Sequence, residues 1–179
     1  MKRLSIIVIA LFAIVTCGFT ASILWNVVPE GTTVSFELPS EGTKGTLSGL
    51  RGSIEFDKND LASAKFVASV NVSTLNTGND KKDKHLLSAD FFDAEKFPFI
   101  SFASSSVKAT KDGFVATGNL TMKDVTKTIE VPFTFTEDAT GGGIFKGTMS
   151  VHSGDFGVTK PSKDGKDEVV VTLSIPVKK

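Results

Sequence analysis

The side chains best suited to acid–base, nucleophilic or metal chemistry are few: two histidines, His85 and His152, and one cysteine, Cys17. Neither histidine has a second histidine or a cysteine at metal-ligand spacing, so no metal site is expected. Asp83, two residues before His85, could orient an imidazole. No serine sits in a nucleophile elbow, however, and Cys17 lies in an N-terminal segment with the character of a leader. An acid–base role would fall to His85 or His152, as the base of a hydrolase or isomerase. The alternative is that each bonds a loop backbone or faces water, and the sequence around them favours this second reading. The glycines at 141–143 precede no helix and mark a turn, not a phosphate cradle. No cofactor is implied.

His85 belongs to an unusual stretch, "NTGNDKKDKHLLSADFFDAEKFPFISF", from Asn76 to Phe102. It combines a dense charge run with phenylalanines, and so a solvent-facing composition with a core composition. Asp80 to Phe92 lacks strand alternation and supports a short helix near residues 80–92. Asn79 or Asp80 can cap its start, and Asp80 and Lys84 are spaced as an i,i+4 pair. Leu87 and Phe91 fall on one side, and Pro98 ends any continuation. Such a helix can lie across the open end of a barrel, its charges in water, with Leu86, Leu87, Phe91 and Phe92 roofing the interior.

The rest of the chain supplies that barrel. "TVSFEL" sets Val34, Phe36 and Leu38 on one face. "FVASVNV" does the same for Phe66, Ala68, Val70 and Val72, and "FISF" for Ile100 and Phe102. "GFVATGNLTM" aligns Phe114, Ala116, Leu120 and Met122. "TIEVPFTFTE" aligns Ile129, Val131, Phe133 and Phe135, and "EVVVTLSIPV" aligns Val169, Val171, Leu173, Ile175 and Val177. A period of two marks strands with one buried and one wet face. With "ILWNVV", the run from Gly45 to Phe56 and "IFKGTMSVH", about eight or nine strands follow one another between turn residues. Pro132 and Pro176 interrupt two of them, as edge or bulge positions permit. The fold class is all-β: an antiparallel barrel of about eight strands with one inserted helix.

Residues 1–22 stand apart. Lys2 and Arg3 precede an apolar run at Leu4–Val15, then small residues to Ser22, the layout of a secretory signal peptide. The expected domain is therefore 23–179, with Cys17 removed along with the leader. A lipid anchor on Cys17 is the lesser alternative, because Thr16 is bulkier than the residue usually found there. Without the leader the chain has no thiol, and packing must stabilise it without disulfides. Twenty basic residues balance twenty acidic ones; loss of Lys2 and Arg3 leaves a small negative charge. Lysines alternate with aspartates, no basic stripe forms, and nucleic-acid binding is excluded.

Several of these stretches together resemble the YceI-like family of bacterial periplasmic proteins. The residues that carry the resemblance are Asp83, His85 and Leu86; Ser88 to Asp93; Pro98 to Ser104; and Gly118 to Thr121 with Thr126 and Lys127. "NVVPEGTTVSF", "LSGLRGSIEFD" and the late "GDFGV" extend it over nearly the whole chain beyond the leader. The family commonly has an arginine two residues before the late Asp-Phe-Gly, where this chain has Ser153. The loop Thr159–Asp167 is also short and lysine-rich. The resemblance implies an extended, lipocalin-like barrel that holds a long apolar molecule such as a polyisoprenoid, an isoprenoid quinone or a fatty amide. It further implies a periplasmic protein without established catalysis.

Thirteen of the fifteen phenylalanines lie beyond the leader, with no tyrosine and one tryptophan. Phenyl rings bring apolar area without a hydroxyl that needs a partner, and this suits either a dry cavity or a solid core. An eight-stranded barrel allows both. Ala68, Ala116 and Gly118, on the apolar faces, are expected to leave space. The expected cavity lining comprises Val34, Phe36, Ile54 and Phe66 from the early strands, and Leu87, Phe91 and Phe92 from the helical insert. Phe102, Leu120, Phe133, Phe135 and Leu173 complete it from the later strands. The expected partner is an apolar lipid, and a homodimer is compatible with the same reading.

Overall fold

The computed structural model describes residues 22–179; the leader expected at 1–22 lies, but for Ser22, outside them. Ten strands form one antiparallel sheet. They are β1 (Leu24–Val27), β2 (Thr33–Leu38), β3 (Thr43–Leu47), β4 (Arg51–Asp57), β5 (Asp60–Asn71), β6 (Phe99–Ala109), β7 (Phe114–Met122), β8 (Val125–Glu137), β9 (Gly142–His152) and β10 (Glu168–Lys178). One helix, α1 (Asp80–Leu87), interrupts the strand series between β5 and β6.

The sheet closes because β1 pairs with both β4 and β10. β2 continues β1 along the same edge of β10, and β3 pairs with β2 as β4 pairs with β1. β1–β2 and β3–β4 thus form two bent staves, and the ring has eight staves in all. Ring closure leaves no free edge along the closed part of the wall. Pro176 lies at the break between the β1 and β2 pairings of β10, where Val28 N–H donates to its carbonyl at 2.8 Å. Pro132 sits where β8 leaves β9, whose mutual register runs only from Phe133↔Gly147 to Glu137↔Gly143. Both prolines occupy positions that need no ladder donor on one side, as expected of them.

The registers separate two ends. One carries the turns β4–β5, β6–β7 and β8–β9, and it is packed solid. Phe56, 1% exposed, stands with its ring 5.1–6.0 Å from those of Phe66, Phe114, Phe133, Phe135 and Phe145. Trp25, also buried, lies edge-on to Phe135 at 4.9 Å and donates its indole N–H to the Phe56 carbonyl at 2.8 Å. Edge-to-face rings are a favoured geometry, and the buried indole donor is satisfied.

At the opposite end the staves part. β3 lies away from β5 and is bridged instead to the segment that follows β5, through Thr46↔Asn76, while β8 separates from β9 beyond Pro132. Non-strand segments fill both splits. Val72 and Leu75 are buried beside β3, and Phe156 and Val158 beside Leu120, Met122 and Val151.

The helical insert spans this end, but it is shorter than the 80–92 expected. Asn79 caps it as expected, its side chain accepting from the N–H groups of Lys81 and Lys82. It stops at Leu87 because Ser88 is extended and its hydroxyl bonds the His85 carbonyl at 2.7 Å. Phe91 and Phe92 follow in turns, where Phe92 and Ala94 N–H groups satisfy the Leu86 and Leu87 carbonyls. Asp83, within the expected Asp80–Lys84 pair's turn, accepts from the Thr77 hydroxyl at 2.6 Å and backbone N–H at 2.9 Å.

Candidate functional site

Between the solid end and the helical insert lies an apolar cavity of about 490 Å³. Along β10 its lining runs from Val169 through Val171 and Leu173 to Ile175. Six residue steps at about 3.3 Å each give roughly 20 Å along the stave. Phe66, Phe133 and Phe145 form the floor, since they border the cavity and also pack into the aromatic cluster below. Met149, Val151, Val131, Met122 and Leu120 extend the walls.

Of the residues expected to line the interior, Val34, Phe36, Ile54, Phe66, Phe91, Phe92, Phe102, Leu120, Phe133 and Leu173 border this space. Leu87 and Phe135 do not. Leu86 takes the place of Leu87, because the cavity face of α1 is Lys82, His85 and Leu86, an i, i+3, i+4 set. Leu87 shares the next face with Asp83, which the Thr77 bonds fix away from the cavity. Phe135 lies below the floor, stacked on Phe145 at 4.4 Å and covered by Trp25.

Ala68 and Ala116 do line the cavity, but Gly118 leaves no opening. The β6 backbone and the Phe102 ring both crowd it: a Cβ on Gly118 would come 2.5 Å from the Ala103 carbonyl oxygen, 2.6 Å from Phe102 Cζ and 2.7 Å from Ser104 Cα. Gly45 receives the Phe36 ring in the same way, with a Cβ only 2.5 Å from Cζ. Aromatic rings that cover cross-strand glycines are therefore pulled toward the wall, and the cavity between them stays open. Alternation alone gives no sign of this.

Polar groups gather at the end under the insert. Glu41 comes from the β2–β3 turn and Thr43 from the start of β3, Lys82 and His85 from α1, and Ser153 and Thr159 from the segment after β9. Lys82 Nζ donates to Thr43 Oγ1 at 2.8 Å. On the far side Lys123, itself in left-handed backbone (φ 55°), donates to the carbonyls of Phe91 at 2.8 Å and Gly157 at 3.0 Å. These contacts tether the insert across the opening, and no residue of α1 is buried. It is a lightly held lid.

The two histidines occupy separate places. His85 borders the cavity with its ring edge-on to Phe91 at 4.7 Å. His152 Nδ1 pairs with Asp167 Oδ1 at 3.2 Å, away from the cavity lining. Burial pushes the Asp167 carboxyl upward. The hydrogen bonds from His152 and the backbone N–H groups of Asp167 and Gly154, with the His152 charge, outweigh it and hold the group below the ordinary carboxylate range. Ser153, where the family pattern has arginine, is buried. Its hydroxyl donates to the Asp167 carbonyl at 3.0 Å and meets Thr159 Oγ1 at 2.7 Å. It ties down the loop from 153 to 167. Among the described residues no group of three or more His, Cys, Asp or Glu is arranged to hold a metal.

A closed antiparallel barrel, solid at one end and hollow and apolar under a helical lid at the other, is a lipocalin-like architecture. The chain belongs to the YceI-like family, whose domain model matches residues 25–177. A UPF0312 protein of Enterobacter sp. strain 638 is 34% identical over 136 residues, which cover 73% of this chain and 71% of that protein. BcnA of Burkholderia cenocepacia has the same fold, with a TM-score of 0.76 at 24% identity over 84% of this chain and 99% of that one. A polyisoprenoid binding domain from Saccharophagus degradans, implicated in plant cell wall breakdown, matches with a TM-score of 0.65 at 9% identity, over 88% of this chain and 98% of that domain.

Proposed function

We propose that this protein is a non-catalytic carrier or sequestering protein that holds one long apolar lipid in its barrel. The observation that carries the reading is the continuous hydrocarbon-lined cavity, about 490 Å³, beside a fully packed aromatic core in the same barrel. A protein interior without a ligand to hold packs to near-crystalline density, whereas this one is hollow over half its length. The volume lies within the range of small-molecule sites. A narrow, elongated, apolar space suits a polyisoprenoid, an isoprenoid quinone or a fatty amide better than a compact polar metabolite. The polyisoprenoid-binding domain that shares this fold supports the same ligand class.

The geometry around the histidines favours binding over catalysis. His85 packs on a phenylalanine, and the His152–Asp167 pair is built into the loop that ends at β10. Export to the periplasm with removal of residues 1–22 completes the reading. Among the described residues no helix is long and apolar enough to cross a membrane.

The test is native mass spectrometry of the full chain expressed in a Gram-negative host, before and after solvent delipidation. A lipid adduct, removed by extraction and restored by the extract, is the expected result, on a chain that begins near Ile23. Identical masses before and after, with no thermal shift on adding the extract, would overturn it.

A further inference from the structure

We propose that the lid end of the cavity is a subsite for an anionic head group, a carboxylate or a phosphate monoester, with Lys82 as its cation. This rests on the lipid-carrier reading and specifies the class of lipid. Lys82 is on the cavity face of α1, and its ammonium is held there by Thr43, which is 8% exposed. An ammonium has three N–H donors, and the Thr43 bond uses one. Among the described residues no carboxylate forms an ion pair with it.

The neighbouring charges leave it available. Asp83, the adjacent acid on α1, accepts from Thr77 instead. Glu41 borders the same end of the cavity but is solvent-exposed and pairs with no cation among the described residues. Arg51 and Lys146 also border the cavity, but from the outer alternation of their strands, Lys146 following the buried Phe145; Lys82 is exposed as they are, and what sets it apart is its bond to the buried Thr43. His85, one turn along from Lys82, borders the same cavity.

Depth gives the orientation. Below the lid the wall is hydrocarbon, and an ionised head there would be buried without a partner, which is strongly unfavourable. An amphipathic lipid therefore enters tail first, and its head stops at Lys82. A charge-assisted bond at this position separates an anionic lipid from its neutral counterpart.

The experiment uses delipidated protein and matched probes: oleate with oleyl alcohol, and farnesyl phosphate with farnesol. Wild type is expected to bind at least one anion about tenfold more tightly than its alcohol, ~1.4 kcal/mol. Lys82→Gln should bring that ratio close to one by weakening the anion more than the alcohol, any loss common to both probes reporting the broken Thr43 tie, and Lys82→Arg should restore the ratio. Preference for oleate alone assigns a carboxylate head, and for farnesyl phosphate alone a phosphate. Equal binding of anion and alcohol by wild type, or an anion preference that persists in Lys82→Gln, overturns the head-group subsite and leaves the lipid carrier standing. If no probe of either kind binds, both readings fall.

Discussion

Truncating phenylalanines on either side of the cavity floor should have unequal costs. Phe56 is 1% exposed and touches five aromatic rings in the solid end. Phe56→Ala leaves a void that neighbouring strands cannot close, at about 3–5 kcal/mol. For a domain of this size that corresponds to a fall in Tm of roughly 6–20 °C. Phe36 borders the cavity, so part of its ring already faces open space. Phe36→Ala should cost the delipidated protein only about 1–2 kcal/mol of partial apolar burial. Phe102→Ala belongs with Phe36, whereas Phe133→Ala belongs with Phe56, because Phe133 is 9% exposed and stacked on Phe114 at 5.4 Å. Guanidinium unfolding followed by Trp25 measures all four, since this single tryptophan is buried in the solid end and reports global loss. Lipid at a hundredfold its Kd should add ~2.7 kcal/mol to wild type and less to Phe36→Ala. Costs for Phe36→Ala and Phe102→Ala that equal the cost of Phe56→Ala, with no lipid effect on any, would refute the division into floor and hollow.

Gly118→Ala should displace both the Phe102 ring and the β6 backbone at Ala103 and Ser104, costing about 1–3 kcal/mol and reducing lipid uptake; unchanged stability and lipid stabilisation in this variant count against the close approach at the glycine. Lys123→Met removes the two carbonyl contacts of the lid, so hydrogen exchange at residues 86–92 and lipid release should both speed up several-fold, while global stability falls by only about 1 kcal/mol. The depressed Asp167 carboxyl stabilises the fold in full above its ordinary value near ~3.9, and the contribution fades as pH falls through that value toward the lower folded one. Urea midpoints from pH 7 to pH 3 should therefore drop more steeply for wild type than for Asp167→Asn.

The wall was legible in the sequence because each stave has one wet face. Ile129, Val131, Phe133 and Phe135 alternate against Thr128, Glu130, Pro132 and Thr134, and their burial follows the same pattern. Where a stave bulges, alternation fails without a sign. Ser104 pairs with Gly118 and Ser106 with Thr117, so the extra Ser105 moves the inward set from Phe102 to Val107. A run of three serines has no hydrophobic phase in which such a shift could be read. The bent stave β3, "TKGTL", is similarly silent, because its glycine is where the Phe36 ring rests.

The hollow itself could not be read from composition, since phenylalanine builds both the solid end and the cavity wall. Its position follows from where staves part and from what fills the splits. β3 leaves β5, β8 leaves β9, and the segments 72–98 and 153–158 enter those gaps with Val72, Leu75, Phe156 and Val158. These segments are not strands, and their contacts run across the sequence: Lys82 to Thr43, Lys123 to Phe91 and Gly157, Ser153 to Asp167. Periodicity reports only local faces. The interior therefore stays open because short polar ties, 30 to 40 residues apart in the first two of these contacts, hold the lid above the floor instead of letting its leucine and phenylalanines collapse onto it. The same ties hold the Lys82 ammonium, bonded to Thr43 and free of any carboxylate among the described residues, at the end where a lipid head can meet it.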